Sequence, residues 1–526
     1  MANLSLRQAT PALALIGGLL LAAPGSPARA ATPSPTAVSP AADTQALNRA
    51  LAALPGLIST AMERTGLPGL AVVVVHNDEA VLLQGYGTRR LGSGEPVDAD
   101  TVFQLASLSK PVASTVIAAA VGDGLIDWDE PVMRWLPELR IGSADVASRV
   151  TLRDLLSHRS GLPDHAGDDL EDLGFPRDTI LQRLAALDTG NRFRAAYAYT
   201  NFGFAAAGEA AARAAGMSWE ELSEERLYQP LGLQRTSSRH AAFVAEPNRA
   251  SLHQRLDGRW QVSEGRQPDA QSPAGGVSAS ARDLARWMRL HLNGGTLDGR
   301  RIVAEAALAE SHRPQAISRP PLDSGRDRAG LYGLGWNVTH DGVAPVRLSH
   351  SGAFALGAAT AVTLIPARGL GIAVLSNGTP MGVPESVIAS FLDLVLHGTI
   401  RRDYAAAMAP AFAASLEPDY EPVREPAATA ELPLERYTGT YRNSYVGDAV
   451  VERGPAGLQL RLGPKGRPAP LTAHGGHRFS YQPWGENAGG PSAVRFTIGA
   501  DGQASRVSID ALDGAGMGTL QRLRSP

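Results

Sequence analysis

The chain has 526 residues and a formal net charge of −3, with 44% hydrophobic and 19% charged residues. That length implies more than one domain and a large folded core, and the near-balanced charge gives no support for nucleic-acid binding. The absence of cysteine excludes disulfides, a thiol nucleophile, a cysteine-based metal site and a lipid anchor on an N-terminal cysteine.

Arg7 precedes an apolar run from Pro11 to Ala23, and Ala28-Arg29-Ala30 follows. A basic flank, a short apolar stretch and an A-x-A site predict a signal peptide over residues 1–30. The run is too short to span a bilayer comfortably, so no membrane span is expected after cleavage. The sequence thus predicts an exported, soluble protein, periplasmic or secreted. Residues 1–30 carry Arg7 and Arg29 and no acidic residue, so cleavage takes the net charge from −3 to −5. Residues 31–45, rich in Pro, Ser and Ala, are expected to be a linker.

A first domain is expected over 46–402. Leu47 to Thr65 has helical spacing and stops at Gly66. The β-branched run Leu70 to Val75, a turn at His76-Asn77-Asp78-Glu79 and the return from Ala80 to Tyr86 predict a hairpin. Next come Phe103-Gln104-Leu105-Ala106-Ser107-Leu108-Ser109-Lys110 and a small-residue apolar run, Val112 to Val121. The run predicts a buried helix with Ser107 in its first turn. Ser107 and Lys110 are three apart and share a helix face. A serine hydroxyl is a weak nucleophile until a base sits beside it, and a desolvated lysine can be that base. Ser-x-x-Lys arises by chance about once or twice in a chain of average composition, so the motif alone is weak. Here, however, Lys110 and Lys465 are the only lysines, and arginine carries the remaining formal positive charge. A decorative cation would be arginine, which stays protonated and cannot act as a base.

Further on, Thr151 to Ser157 predicts a short helix that Ser160-Gly161-Leu162-Pro163 ends. Tyr197-Ala198-Tyr199-Thr200-Asn201 leads into a small-residue helix, and Pro273-Ala274-Gly275-Gly276-Val277 is a tight glycine turn. Ser280 with Asp283 predicts an N-terminal cap for the amphipathic helix through Leu292. Ala358 to Ile365 and Leu370 to Ser376 flank Pro366-Ala367-Arg368-Gly369 as a buried hairpin, and Pro384 to His397 is a closing helix. Residues 403–432 are Ala- and Pro-rich and predict a linker. From 433 to 526 the texture changes to short alternating runs at Tyr437–Tyr441, Ala449–Glu452, Leu458–Leu462, Val494–Ile498 and Ser505–Ile509. They predict a small all-β domain. His474 and His477 stand in a glycine-rich stretch that reads as a polar loop; no metal or cofactor is called for.

Three motifs line up in order: Ser107-x-x-Lys110, Tyr199-Thr200-Asn201 and His350-Ser351-Gly352. With Leu155 to Leu162, Tyr228 to Leu233, Gly275-Gly276 and Tyr332 to Trp336, this order resembles the serine β-lactamase and penicillin-binding-protein superfamily, in its class C and esterase or D-aminopeptidase branch. Residues 433–526 resemble the lipocalin-like C-terminal domain of some of these hydrolases. The resemblance implies an α+β fold: an antiparallel sheet flanked by helices, an all-helical subdomain, then a small barrel. It implies that Ser107 is acylated, with Lys110 as base or proton relay and Tyr199 as second base and leaving-group acid. It implies that Asn201 binds the substrate and orients Lys110. The backbone N–H groups of Ser107 and Ala353 would form the oxyanion hole, with His350, Ser351 and Gly352 lining the substrate strand. Tyr197 competes with Tyr199, but Asn201 stands at the right offset from Tyr199.

The third motif departs from its usual pattern. It commonly begins with lysine, a fixed cation for a substrate carboxylate; here it begins with His350. An unperturbed imidazole is mostly neutral at pH 7. The second motif also differs from the class A pattern. The expectation is an exported serine hydrolase cleaving an ester, amide or D-amino-acid peptide bond. A true class C-like β-lactamase or D-Ala-D-Ala peptidase and a non-catalytic penicillin-binding sensor module are the alternatives. The partner is a small-molecule or peptide substrate; the sequence leaves the oligomeric state open.

Overall fold

The computed structural model describes residues 40–323, 327–340 and 346–523; the expected signal peptide lies outside them. Among the described residues no helix is long and apolar enough to cross a membrane. They fall into two compact units. One holds the chain up to Glu130 and Ala207–Ala414; the other holds Pro131–Ala206 and the chain from Ser415 onward.

The first unit opens with helix α1 (Pro40–Thr65), which begins inside the segment the sequence assigns to the linker. Strands β1 (Gly69–His76) and β2 (Glu79–Gly87) form the expected hairpin. Its two loop residues, Asn77 and Asp78, have φ of 46° and 69°, the left-handed pair that a tight hairpin turn requires. The helix of the Ser-x-x-Lys motif, α2 (Ser109–Gly122), follows a 3₁₀ turn, Ala106–Leu108. Helix α3 (Ala281–Leu292) is capped by Ser280, whose side chain accepts the Asp283 N–H. Six more strands are β3 (Ala316–Arg319), β4 (Gly330–Tyr332), β5 (Asn337–Thr339), β6 (Arg347–Phe354), β7 (Ala358–Ile365) and β8 (Leu370–Ser376). They complete an antiparallel sheet in the order β2-β1-β8-β7-β6-β5-β4-β3. Helix α4 (Val383–His397) closes the unit's sheet domain.

On one face of this sheet, Leu47, Leu54 and Ile58 of α1 and Val387 and Phe391 of α4 pack on Val72, Val74, Ile372 and Val374. Each such side chain, fully buried, stabilises by about 1.5–3 kcal/mol. Helix α3 also packs on β1 and β8. Helix α2 is buried along nearly its whole length, which explains its lack of a polar stripe.

The second unit contains the helical segment Pro131–Ala206 and a closed eight-stranded antiparallel barrel. Its strands are β9 (Gly439–Asn443), β10 (Gly447–Gly454), β11 (Gly457–Leu462), β12 (Arg467–Ala473), β13 (Arg478–Tyr481), β14 (Ser492–Ile498), β15 (Ala504–Ile509) and β16 (Thr519–Arg522). The sequence pattern found five of the eight. Pro468 and Pro470 disguise β12, and β13 and β16 have four residues each. Tyr445 ties the barrel to the helical segment: its hydroxyl donates to Asp169 Oδ1 (2.6 Å) and accepts the Gly167 N–H (2.9 Å). Arg183 donates to the Tyr445 and Val446 carbonyls at 3.0 and 2.8 Å. His474 and His477 are engaged separately, with Ser480 and with Tyr437.

Candidate active site

Ser107 sits in the 3₁₀ turn that feeds α2, 8% exposed, and Lys110 is fully buried one turn on. Lys110 Nζ lies 3.1 Å from Ser107 Oγ and 3.2 Å from the Ala274 carbonyl oxygen. Ala106, just before the serine, has φ of 49°, a strained backbone for a residue with a Cβ. The surroundings hold that strain. The Leu105 N–H donates to the Val277 carbonyl (2.9 Å), and Thr360 Oγ1 donates to the Leu105 carbonyl (2.6 Å). Ser109, the spare hydroxyl of the motif, accepts the Val277 N–H at 2.9 Å and so fastens the glycine turn to α2. The turn itself needs Gly276, where a Cβ would come within 2.6 Å of Ser272 Cα. In this way Pro273 to Val277 supplies both an acceptor for Lys110 and a brace for the serine turn.

Strand β6 runs alongside. It pairs with β5 only from Arg347 to Ser349, and packs from there on against the serine turn. Gly352 allows that approach: a Cβ there would lie 2.1 Å from the Leu105 carbonyl oxygen and 2.8 Å from Leu108 N. Ala353 follows, paired with Ala359 of β7. The Tyr332-to-Trp336 landmark braces α2, with Ser114 Oγ donating to the Leu334 carbonyl at 2.5 Å.

His350 is buried on β6. Its Nδ1 is 2.7 Å from the Ser351 carbonyl oxygen and its Nε2 is 3.0 Å from the Tyr332 hydroxyl. A carbonyl only accepts, so Nδ1 carries the proton and Nε2 accepts from Tyr332. Burial, and then the Lys110 charge, hold the imidazole down at about 3, against the pull of the Ser351 carbonyl. His350 is therefore neutral at neutral pH. The Ser351 hydroxyl is the side-chain partner of Glu385, a buried carboxyl in the first turn of α4.

The structure thus brings Ser107, Lys110, His350, Ser351, Gly352 and Ala353 together in the first unit. Tyr199 and Asn201 belong to the second unit. There, Thr151 and Asp154 form a capping box on the helix Leu152–Leu156, and Arg194 grips Asp154 with two hydrogen bonds of 2.9 and 2.8 Å. His158 follows this helix with φ of 59°. Its carbonyl accepts the Ala198 N–H, its Nδ1 accepts the Thr200 N–H (3.1 Å), and its ring centroid lies 4.5 Å from that of Tyr199. The landmark Leu155 to Leu162 therefore holds the tyrosine motif from both sides. The neighbouring Tyr197 has its phenol pushed well above the ordinary value by burial, then by Tyr199 and Asp164, and stays neutral.

Asn201 starts the helix Asn201–Ala214, and its Nδ2 donates to Asp168 Oδ2 at 2.8 Å. The same oxygen is 2.9 Å from His165 Nδ1, and the His165 N–H donates to the Tyr199 carbonyl at 2.8 Å. Burial disfavours charge on His165, but the Asp168 hydrogen bond and the charges of Asp168, Asp164 and Asp419 bring it up to about 9. Sequence reasoning missed His165, Asp168 and Glu385 as neighbours of motif residues. Tyr332 and His158 stood inside quoted landmarks without a role. Among the described residues no group of three or more His, Cys, Asp or Glu is placed to hold a metal.

The Beta-lactamase family profile matches residues 54–396, and a domain of unknown function, DUF3471, matches residues 423–521. The chain belongs to the Beta-lactamase family, within the superfamily of β-lactamase and penicillin-binding-protein-like serine hydrolases. Penicillin-binding protein 4 of Amycolatopsis lactamdurans is 30% identical over 324 residues, 59% of this chain and 81% of that protein. Esterase EstB of Burkholderia gladioli is 30% identical over 216 residues, 38% of this chain and 54% of the esterase. The octameric penicillin-binding protein homologue from Pyrococcus abyssi shares the fold with a TM-score of 0.57 at 19% identity, covering 89% of this chain and 99% of that one.

Proposed function

We propose that this protein is an exported serine hydrolase that cleaves neutral ester or amide substrates, including D-amino-acid peptides, through an acyl-enzyme on Ser107. Lys110, uncharged in the reactive form, takes the Ser107 proton as Oγ attacks the carbonyl carbon. The N–H groups of Ser107 and Ala353 receive the developing oxyanion. Tyr199 returns a proton to the leaving group as its bond breaks, and Asn201 orients the substrate. Water then attacks the acyl carbon as the Tyr199 phenolate takes its proton, and Lys110 gives its proton back to Ser107 Oγ as the carboxylic acid leaves. The 3.1 Å contact between Lys110 and Ser107 supports the first step.

The observation that carries the substrate preference is neutral His350 where a fixed cation is usual. Without that cation a substrate carboxylate has no counter-ion on β6 from this position. The likeness to Esterase EstB agrees with an ester substrate. The 30% identity to Penicillin-binding protein 4 favours a second reading, in which penicillin acylates Ser107. Two measurements test the proposal. A fluorophosphonate probe should label the protein and fail to label S107A; label retained in S107A overturns the nucleophile. kcat/KM for p-nitrophenyl acetate should exceed that for nitrocefin; the reverse order replaces the esterase reading with the β-lactamase one. Export is tested by N-terminal sequencing of the mature protein, which should begin at Ala31.

A further inference from the structure

We propose that Asp168 is a positioning residue that fixes the orientation of the Asn201 carboxamide. The inference rests on the substrate-orienting role given to Asn201 above. An asparagine side chain has one accepting oxygen and one donating nitrogen, and exchanging them needs only a half-turn. A carboxylate accepts and does not donate. Asp168 Oδ2, 2.8 Å from the amide, therefore selects Nδ2 as its neighbour and turns Oδ1 away from itself.

Asp168 is placed to impose that choice. It is 6% exposed in the short helix Asp168–Asp172, after Gly167 in the left-handed conformation. Its Oδ2 also takes the hydrogen bond from His165 Nδ1 at 2.9 Å, so one oxygen holds two donors. His165 in turn donates its backbone N–H to the Tyr199 carbonyl. Asp164 and Asp419 face His165 with Asp168, and these three carboxylates keep the imidazole charged up to about 9. One ion pair thus holds the amide of Asn201 and the backbone of Tyr199, two residues apart on the same motif.

The fold explains why this link was hard to see. Asp168 is 33 residues from Asn201 in the chain, and Asp168 and Asp169 stand side by side in an acidic stretch. Their duties are split: Asp168 turns to the tyrosine motif and Asp169 to Tyr445 of the barrel. Such a division cannot be read from composition.

The experiment is a double-mutant cycle on kcat for p-nitrophenyl acetate with N201A, D168A and the combined variant. N201A and D168A should each lower kcat by about ten- to a hundredfold, the scale of a misplaced orienting group, with KM moved less than about threefold. In the N201A background, D168A should cost clearly less than in the wild type, because the carboxamide it positions is gone and only the His165–Tyr199 link is left to lose. D168N keeps the shape if D168A fails to fold. Its carboxamide can turn either end to Asn201, so D168N should show the same dependence on Asn201. Losses that multiply in the double variant overturn the proposal while leaving the role of Asn201 standing. N201A with wild-type kcat overturns both.

Discussion

Replacing Glu385 by glutamine should flatten the pH dependence of stability. Glu385 is 1% exposed, and its Oε2 has no hydrogen-bond partner. Burial pushes its carboxyl from an ordinary 4.5 up to about 7, against the pull of its own backbone N–H and the Ser351 hydroxyl. A carboxyl raised in the folded state keeps its proton where the unfolded chain has lost it. The fold is therefore favoured below pH 4.5, loses stability as pH rises towards 7, and levels off above. At ~1.4 kcal/mol per pH unit, the loss from pH 4 to pH 8 is about 3 kcal/mol. E385Q cannot titrate and escapes that loss. Its amide brings a donor to a place without an acceptor, a cost of about 1–3 kcal/mol that is the same at every pH. The assay is urea unfolding of both proteins from pH 4 to pH 8. Asp169 is also pushed up to about 7, by burial and despite the Tyr445 hydrogen bond, so the wild-type curve alone mixes two groups. The difference between the two proteins isolates Glu385. It should move by about 3 kcal/mol in favour of E385Q across the range. A difference that stays constant with pH would refute the account of a buried, neutral carboxyl under β6.

G352A should lose at least about a hundredfold in kcat, because the new Cβ would lie 2.1 Å from the Leu105 carbonyl and push the serine turn away; wild-type turnover would show that β6 can move freely. Y445F should destabilise the second unit by about 1–3 kcal/mol, since buried Asp169 loses its hydroxyl donor; unchanged unfolding would remove Tyr445 as a tie. A chain ending at Ala414 keeps Ser107, Lys110 and β6 but strips the barrel from Pro131–Ala206; it should still label at Ser107, and loss of labelling would show that the serine site depends on the second unit. H350K should narrow the gap between p-nitrophenyl acetate and nitrocefin, and most at low pH, because burial and the Lys110 charge push a lysine at this position towards its neutral form as pH rises. An unchanged ratio across pH would remove position 350 from substrate selection.

How much of this was legible follows from where the information lies along the chain. The hairpin at Asn77-Asp78, the Ser280 cap and the paired strands β7 and β8 are encoded within about twenty residues each. Local propensity and apolar periodicity suffice for such elements. The barrel strands that escaped notice break local rules. Two prolines in β12 argue against a strand, and the tertiary closure of the barrel overrides them. The start of α1 at Pro40 was hidden because Pro, Ala and Thr there match a linker as well as a first helical turn.

The site divides in the same manner, with a chemical twist. Ser107 and Lys110 were legible because three residues of spacing define one helix face, and because this chain uses lysine so rarely. His350 was legible as a departure, but its protonation was not, since that depends on the Ser351 carbonyl and on the Lys110 charge nearby. Glu385 and Asp168 were illegible because each matters only through a partner more than thirty residues away. These hidden groups share a logic. Buried His350 and Glu385 are both driven towards their neutral forms, one down to about 3 and the other up to about 7. Position 350 therefore carries no charge at neutral pH, whereas the Glu385 carboxyl that pairs with the Ser351 hydroxyl ionises as pH passes about 7. A site arranged in this way offers a substrate carboxylate no counter-ion from position 350.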